Sequence, residues 1–194
     1  MHYLLDLLQG MGIAAAIGVR PFLPTLLAGA LAAGDVGLDF EGTDFSFLEK
    51  PVFLFCVLVA VAVLGFVERR RDPLATPVGV ATMLGISLAL GMLLACASIA
   101  DRSQDWWPGL LVGAAAAALG FAAARDFFTR VRARLDQAAR GALPLYAEAM
   151  ALLSAGASIL FPPASVLVVI ALVWLLLGGR RRAGEKYAGL RILR

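Results

Sequence analysis

GVRPFLP, residues 18–24, decides how the N-terminal part of this chain can fold. It lies inside an apolar segment, residues 7–33, that is long enough to cross a membrane. An arginine near the centre of a bilayer costs about 2.5–3.5 kcal/mol on insertion scales, and proline lacks the N–H group that continues a helix. Such an interruption is tolerated only where protein or a water-filled cavity satisfies the freed polar groups. The segment therefore predicts a helix that is broken at Gly18–Pro24, with Arg20 at a polar point inside the protein.

The composition of the chain is typical of a membrane protein. Of its 194 residues, 61% are apolar and 16% are charged, and the mean hydropathy is +0.85. Cys56 and Cys96 lie apart within apolar runs, which is typical of packing residues. We expect an all-α membrane protein with about six transmembrane helices in one integral-membrane domain, residues 1–194. The six apolar segments are residues 7–33, 51–67, 76–100, 106–124, 142–160 and 163–179.

Basic residues are unevenly distributed between the loops of this six-span arrangement. Arginines follow the second, fourth and sixth segments, within residues 69–71, 125–140 and 180–194, whereas the opposite side carries Lys50 and Arg102. Positive residues are retained in the cytoplasm, so this pattern predicts that both termini are cytoplasmic. Membrane topology also accounts for the net positive charge of the chain. Nucleic-acid binding is not indicated, because no basic face with interleaved aromatic residues is present.

The two halves of the chain, residues 1–100 and 101–194, each contain three apolar segments. A duplicated half would therefore be inverted in the membrane, and residues 13–20 weakly resemble residues 116–122. Inverted repeats with interrupted helices are typical of transporters that bind a solute near the midplane. An inverted repeat of three plus three helices is thus one hypothesis, and a chance alignment of alanine-rich segments is the other.

Glu148 is the second ionisable residue well inside an apolar segment, about 7–8 Å from Leu143 at 1.5 Å per residue. A pairing with Arg20 would offset the desolvation of both charges, either as a structural ion pair or as part of a site. If a half-helix restarts after the break, its N–H groups lie beside the guanidinium and favour an anionic or zwitterionic ligand. The candidate substrate-binding residues are therefore Arg20, Pro21, Pro24, Thr25, Tyr146 and Glu148.

An acidic loop at residues 34–50 offers a second candidate. Asp39, Glu41 and Asp44 could attract a cation, although their spacing is not that of an EF-hand, and a solvated loop is the alternative. His2 is the only histidine, which excludes a histidine-based catalytic triad or metal cluster. Because no nucleotide-binding motif is present either, we expect no enzyme activity, no metal and no cofactor.

Three stretches are similar to the bacterial membrane family catalogued as domain of unknown function 4126. They are GVRPFLP at 18–24, DFEGTDFSFLEKP at 39–51 and the ending at 160–194. The resemblance extends over nearly the whole chain. It implies a fold with several spans in the bacterial inner (plasma) membrane, and it brings no established activity or ligand.

These features predict a small inner-membrane transporter or channel for a small anionic solute, with its polar site at a broken helix. We also expect it to form a homo-oligomer in the lipid bilayer. The alternative is a non-transporting membrane scaffold that binds lipid or a partner protein through its basic cytoplasmic face. Residues 126–140, in which Phe127 and Phe128 lie among arginines, suit a helix along the lipid headgroups. An ordinary linker that continues the fourth apolar segment is the alternative for this stretch.

Overall fold

A computed structural model describes residues 2–70, 73–100, 105–135 and 141–188 of the chain. Over these residues it contains seven α-helices, two short 3₁₀-helices and no strand, so the predicted all-α fold is confirmed. The α-helices are α1 (His2–Val19), α2 (Phe22–Ala32), α3 (Pro51–Arg70), α4 (Pro77–Ala100), α5 (Pro108–Arg132), α6 (Leu143–Leu160) and α7 (Ala164–Ala188). The 3₁₀-helices are Ser46–Glu49 and Pro73–Ala75.

Four helices are long and apolar enough to cross a membrane, namely α3, α4, α5 and α6. The apolar parts of α1, α2 and α7 are shorter, at 10–17 residues each. This pattern fits a helical membrane protein. It does not reproduce six spans or a division into three plus three, because residues 1–100 contribute α1–α4 and the described part of residues 101–194 contributes α5–α7.

The helix break occurs where the sequence predicts it, but the chain reverses there. Gln9 in α1 donates hydrogen bonds to the carbonyls of Gly37 and Ile159, so this part of α1 lies beside the end of α6. Arg20 contacts Glu148 near the start of α6, and α2 then returns to place Gly29 against Leu48. Residues 7–33 therefore contain an antiparallel helical hairpin rather than one crossing. We name the two ends of the helix bundle the Gln9 end and the Arg20 end.

The chemistry of the turn explains the reversal. Pro21 and Pro24 have no N–H group, so the carbonyls of Ile17 and Arg20 receive no regular helical hydrogen bond from these positions. The Thr25 hydroxyl donates to the Pro21 carbonyl at 2.6 Å, and Thr25 is fully buried. The first turn of α2 is thus held from within the bundle.

Helix α1 lies at the centre of the bundle. Residues 13–17 are all fully buried, and α1 packs closely on α4 and α5. Glycine permits this approach, because a Cβ on Gly18 would lie 2.8 Å from the Phe121 amide nitrogen. Small residues at helix contacts are the usual way to pack helices in lipid.

The hairpin also sets the relative direction of the first and last described helices. Helix α1 begins at the Gln9 end, where the Ser98 hydroxyl donates to the Asp6 carbonyl. Helix α7 begins just after α6 at the same end and runs back along α5, where Arg130 donates to the Leu175 carbonyl. Helices α1 and α7 thus both run from the Gln9 end toward the Arg20 end, so the start of α1 and the end of α7 lie at opposite ends of the bundle. The reversal at Pro21 adds a helix that the six-segment interpretation missed.

Candidate functional site

A cavity of about 890 Å³ lies at the Arg20 end of the bundle, between the α1–α2 turn, α3, α4, α5 and the start of α6. Its volume is in the range of small-molecule sites, about 300–1,000 Å³. Most of the lining is apolar, with Leu64, Met83 and Phe121 as examples. The polar lining side chains are those of Arg20, Glu68, Ser87, Arg125, Arg132 and Glu148.

Arg20 binds two carboxylates in the wall of this cavity. Its Nη1 donates to Glu68 Oε1, and its Nε lies 3.6 Å from Glu148 Oε1. The three side chains are only 15%, 16% and 21% exposed, in the order Arg20, Glu68 and Glu148. With both carboxylates ionised, the cluster carries one net negative charge.

Three elements bring these charges together. The turn after Val19 presents Arg20 between α1 and α2. Glu68 belongs to one face of α3 that lines the cavity, together with Val61, Leu64 and Gly65. This spacing of three and four residues is that of a single helix face. Glu148 lies in the second turn of α6, on the face that meets the hairpin.

The contact between Arg20 and Glu148 is the pairing that the sequence indicates, but the closer partner of Arg20 is Glu68. Glu68 directly follows the apolar segment at residues 51–67 and is not among the predicted site residues. Two signals in the sequence point to it: it is the sole acidic residue of α3, and it continues the face of Val61 and Leu64.

Two polar atoms in the cavity wall have no hydrogen-bond partner among the described residues. They are Glu148 Oε2 and Ser87 Oγ, and both atoms are buried. Leaving a buried donor or acceptor unsatisfied costs about 1–3 kcal/mol. Both residues line the cavity, so a water molecule or a solute in it can supply the missing partners.

The structure separates the other predicted site residues into two groups. Pro21 is buried and lines the cavity beside Arg20 and Glu148. Pro24 and Thr25 are buried inside the bundle and do not line it. Tyr146 is 67% exposed and lies outside the cavity lining. The predicted site is therefore reduced to Arg20, Pro21 and Glu148.

The acidic loop does not assemble a cation site. Asp39 accepts a hydrogen bond from the Glu41 amide, and Asp44 is exposed. Glu49 accepts from the amide of Phe40, whose side chain is fully buried. Across the ranges that the structure describes, no group of three potential metal ligands is present. These side chains stabilise the loop itself.

A second polar cluster lies at the Gln9 end. The Gln9 side chain donates to the Gly37 carbonyl at 2.7 Å and to the Ile159 carbonyl at 3.0 Å. The Ser98 hydroxyl lies 3.3 Å from Gln9 Oε1 and 3.1 Å from the Asp6 carbonyl. Gln9 thus connects α1 with α4, α6 and the acidic loop at the end opposite the cavity. No pattern in the sequence distinguishes Gln9 from other polar residues near the ends of apolar segments.

No family model, curated protein or solved structure matches this chain. The resemblance to the family of unknown function therefore stays a prediction, and the site is interpreted from its own geometry.

Proposed function

We propose that this protein is a small transporter of the bacterial inner membrane that binds a small solute in the cavity at the Arg20 end. The observation that supports it is the combination of a charged cluster with a cavity of about 890 Å³ inside an apolar helix bundle. A purely structural ion pair needs no cavity. In this proposal the bound solute supplies hydrogen-bond partners to Glu148 Oε2 and Ser87 Oγ, which have none among the described residues.

The orientation follows from the basic residues at the Arg20 end. Arg70 ends α3, and Arg125, Arg130, Arg132 and Arg134 lie in or after the last turns of α5. By the positive-inside rule this end faces the cytoplasm. The cavity then faces the cytoplasm, and α1 begins on the periplasmic side. The homo-oligomer and the small solute stay predictions.

The two polar clusters suggest how access to the cavity changes sides. At the Gln9 end, hydrogen bonds hold α1 to α4 and α6 and keep that end together. At the Arg20 end, α3 forms one wall, although it packs mostly on α2 and on the Ser46–Glu49 turn. The bond from Arg20 to Glu68 ties this wall to the hairpin. In the proposed cycle, α3 moves when this bond breaks, and the Gln9 contacts separate to open the other side.

The alternative is a scaffold that binds lipid or a partner through the basic face of α5. One observation weakens it: Arg130 donates to the Leu175 carbonyl, so part of this basic face already binds α7. A scaffold also gives the cavity no role.

Solute counterflow in proteoliposomes tests the proposal. Vesicles with purified protein are loaded with a single unlabelled amino acid, amine, carboxylate or phosphate, and uptake of the same labelled solute is measured. We expect counterflow of at least one solute that Glu148→Gln abolishes. The matched control Tyr146→Phe changes the same helix on its exposed side and keeps the activity. Folded protein without counterflow of any solute would refute transport and favour the scaffold.

A further inference from the structure

We infer that the cavity binds a small zwitterion with an apolar body, whose ammonium group contacts Glu148 and whose anionic group lies toward Arg125. This inference rests on the proposed function, since it names the chemical class of the solute. The sequence leaves an anionic and a zwitterionic ligand open at the helix break, and the charges around the cavity favour the zwitterion.

Arg20 is not available as an anion site. Its guanidinium already binds Glu68 and lies 3.6 Å from Glu148. The cluster of one guanidinium and two carboxylates is negative by one charge. An anion placed against it would face the buried Oε2 of Glu148, which itself needs a hydrogen-bond donor or a cation.

An ammonium group supplies the hydrogen-bond donors that the cavity wall around Glu148 lacks. It carries one positive charge and three N–H donors, and Glu148 Oε2 is a buried acceptor without a partner among the described residues. Ser87 is fully buried, lines the same cavity and offers a second oxygen. Hydrogen bonds between charged groups are roughly twice as strong as neutral ones. The ammonium would also neutralise the net charge of the cluster.

The anionic group is drawn to a different part of the cavity. Arg125 lines it one turn beyond Phe121, about 6 Å further along α5 at 1.5 Å per residue. Helix α6 begins at the cavity, and the methyl side chain of its N-cap Ala142 cannot cap the backbone N–H groups of the first turn. A helix N-terminus with free N–H groups favours negative charge. The positive features therefore lie toward the end of α5, whereas the net negative cluster lies at the hairpin.

The rest of the cavity lining is mostly apolar. It includes Val61 and Leu64 from α3, Met83 from α4, and Phe121 and Phe128 from α5. An aromatic or branched aliphatic body suits this lining, because it removes apolar surface from water at about 25 cal/mol per Å². An apolar amino acid combines an ammonium group, an anionic carboxylate and an apolar side chain.

Three ligands with the same phenyl body separate these contributions. L-Phenylalanine has both charges, 2-phenylethylamine lacks the carboxylate, and 3-phenylpropionate lacks the ammonium group. Binding is measured by calorimetry on the purified full chain in lipid nanodiscs. A charged hydrogen bond corresponds to about 10-fold or more in affinity. We therefore expect phenylalanine to bind tightest, the amine several-fold weaker and the propionate about 10-fold weaker.

Variants assign each ligand group to a residue. Glu148→Gln should weaken phenylalanine and the amine and leave the propionate unchanged, because only the first two carry an ammonium group. Arg125→Gln should weaken phenylalanine and the propionate and leave the amine unchanged. Ser87→Ala should weaken phenylalanine and the amine by a few-fold, and it keeps the test valid if Glu148→Gln does not fold. Tyr146→Phe is the matched control that changes none of the three.

Each remaining outcome overturns the inference. Tightest binding of the propionate would restore a simple anion, and binding of the amine at least equal to that of phenylalanine would indicate a simple cation. Equal binding of all three, insensitive to the variants, would indicate apolar partition only. If none binds while another solute shows counterflow dependent on Glu148, this inference fails and the proposed transport stands. If no solute shows counterflow, transport itself fails.

Discussion

Arg20 should be coupled more strongly to Glu68 than to Glu148. Two unit charges 4 Å apart attract by about 4 kcal/mol at an effective dielectric constant of 20, before desolvation is subtracted. The Glu68 contact is a hydrogen bond between charged groups, for which the net value is about 1.5–3 kcal/mol. The Glu148 contact, at 3.6 Å, lies outside hydrogen-bond distance for this pair, so we expect about 1 kcal/mol or less for it.

Removing Arg20 should be the most damaging single change in the cluster. It leaves two carboxylates facing each other at 16% and 21% exposure. Loss of one partner of a fully buried ion pair costs about 3–5 kcal/mol, and partial exposure places this site at the lower end. We expect Arg20→Gln to lower the free energy of unfolding by about 3 kcal/mol. Glu68→Gln should lower it by about 2 kcal/mol, because Arg20 then loses its charged hydrogen-bond partner. Glu148→Gln should cost less, because the 3.6 Å contact with Arg20 that it removes is the weaker of the two.

Double-mutant cycles measure these couplings directly. The free energy of unfolding is determined by circular dichroism in mixed micelles of dodecyl maltoside and dodecyl sulfate, for the single variants and for each pair with Arg20→Gln. Arg134→Gln, at an exposed position, controls for loss of a positive charge at the same end. A larger coupling to Glu148 than to Glu68, or an Arg20→Gln variant as stable as the wild type, would refute this interpretation of the cluster.

Three further predictions use the same unfolding assay. Gly18→Ala should lower the free energy of unfolding by about 1–3 kcal/mol, because its Cβ would lie 2.8 Å from the Phe121 amide nitrogen. Gly85→Ala is the matched control: its Cβ would meet open space, so it should be neutral or stabilising by up to about 1 kcal/mol. Equal effects would argue against the close packing of α1 on α5. Gln9→Leu should lower the free energy of unfolding by about 2 kcal/mol, because the carbonyls of Gly37 and Ile159 lose their hydrogen-bond donor. An unchanged stability would show that the Gln9 side chain does not hold the Gln9 end together. Calcium should not stabilise the wild type, and a rise in stability would restore the cation hypothesis for the loop at 34–50.

The sequence could predict the break in the first segment but not its direction. Hydropathy reports how much chain can lie in lipid, and residues 7–33 suit one tilted crossing as well as two short helices. The direction of α2 depends on what its buried face meets, namely Gly156 of α6 and the backbone of Leu48. These contacts are far apart in the chain, and no local pattern encodes them.

In the candidate site, the closer partner of Arg20 could not be predicted from the sequence, whereas the outward position of Tyr146 could. The partner of Arg20 depends on where α3 packs, so its choice of Glu68 over Glu148 is a tertiary property. Tyr146, in contrast, could have been removed from the site by helix geometry alone. At 3.6 residues per turn it lies about 200° from Glu148 around α6, and it is exposed in the structure.

Cysteine accessibility at Gly65 tests the central claim, that a water-accessible cavity lies beside the charged cluster. A Cβ at Gly65 meets nothing within 4 Å, and this residue lines the cavity. Val63 is exposed on the other side of α3, at nearly the same depth. Each is replaced by cysteine in a Cys56→Ala/Cys96→Ala background and treated with a membrane-impermeant thiosulfonate in inverted vesicles. We expect rapid labelling of Gly65→Cys and little labelling of Val63→Cys, whereas equal reactivity at the two positions would contradict a cavity at this site.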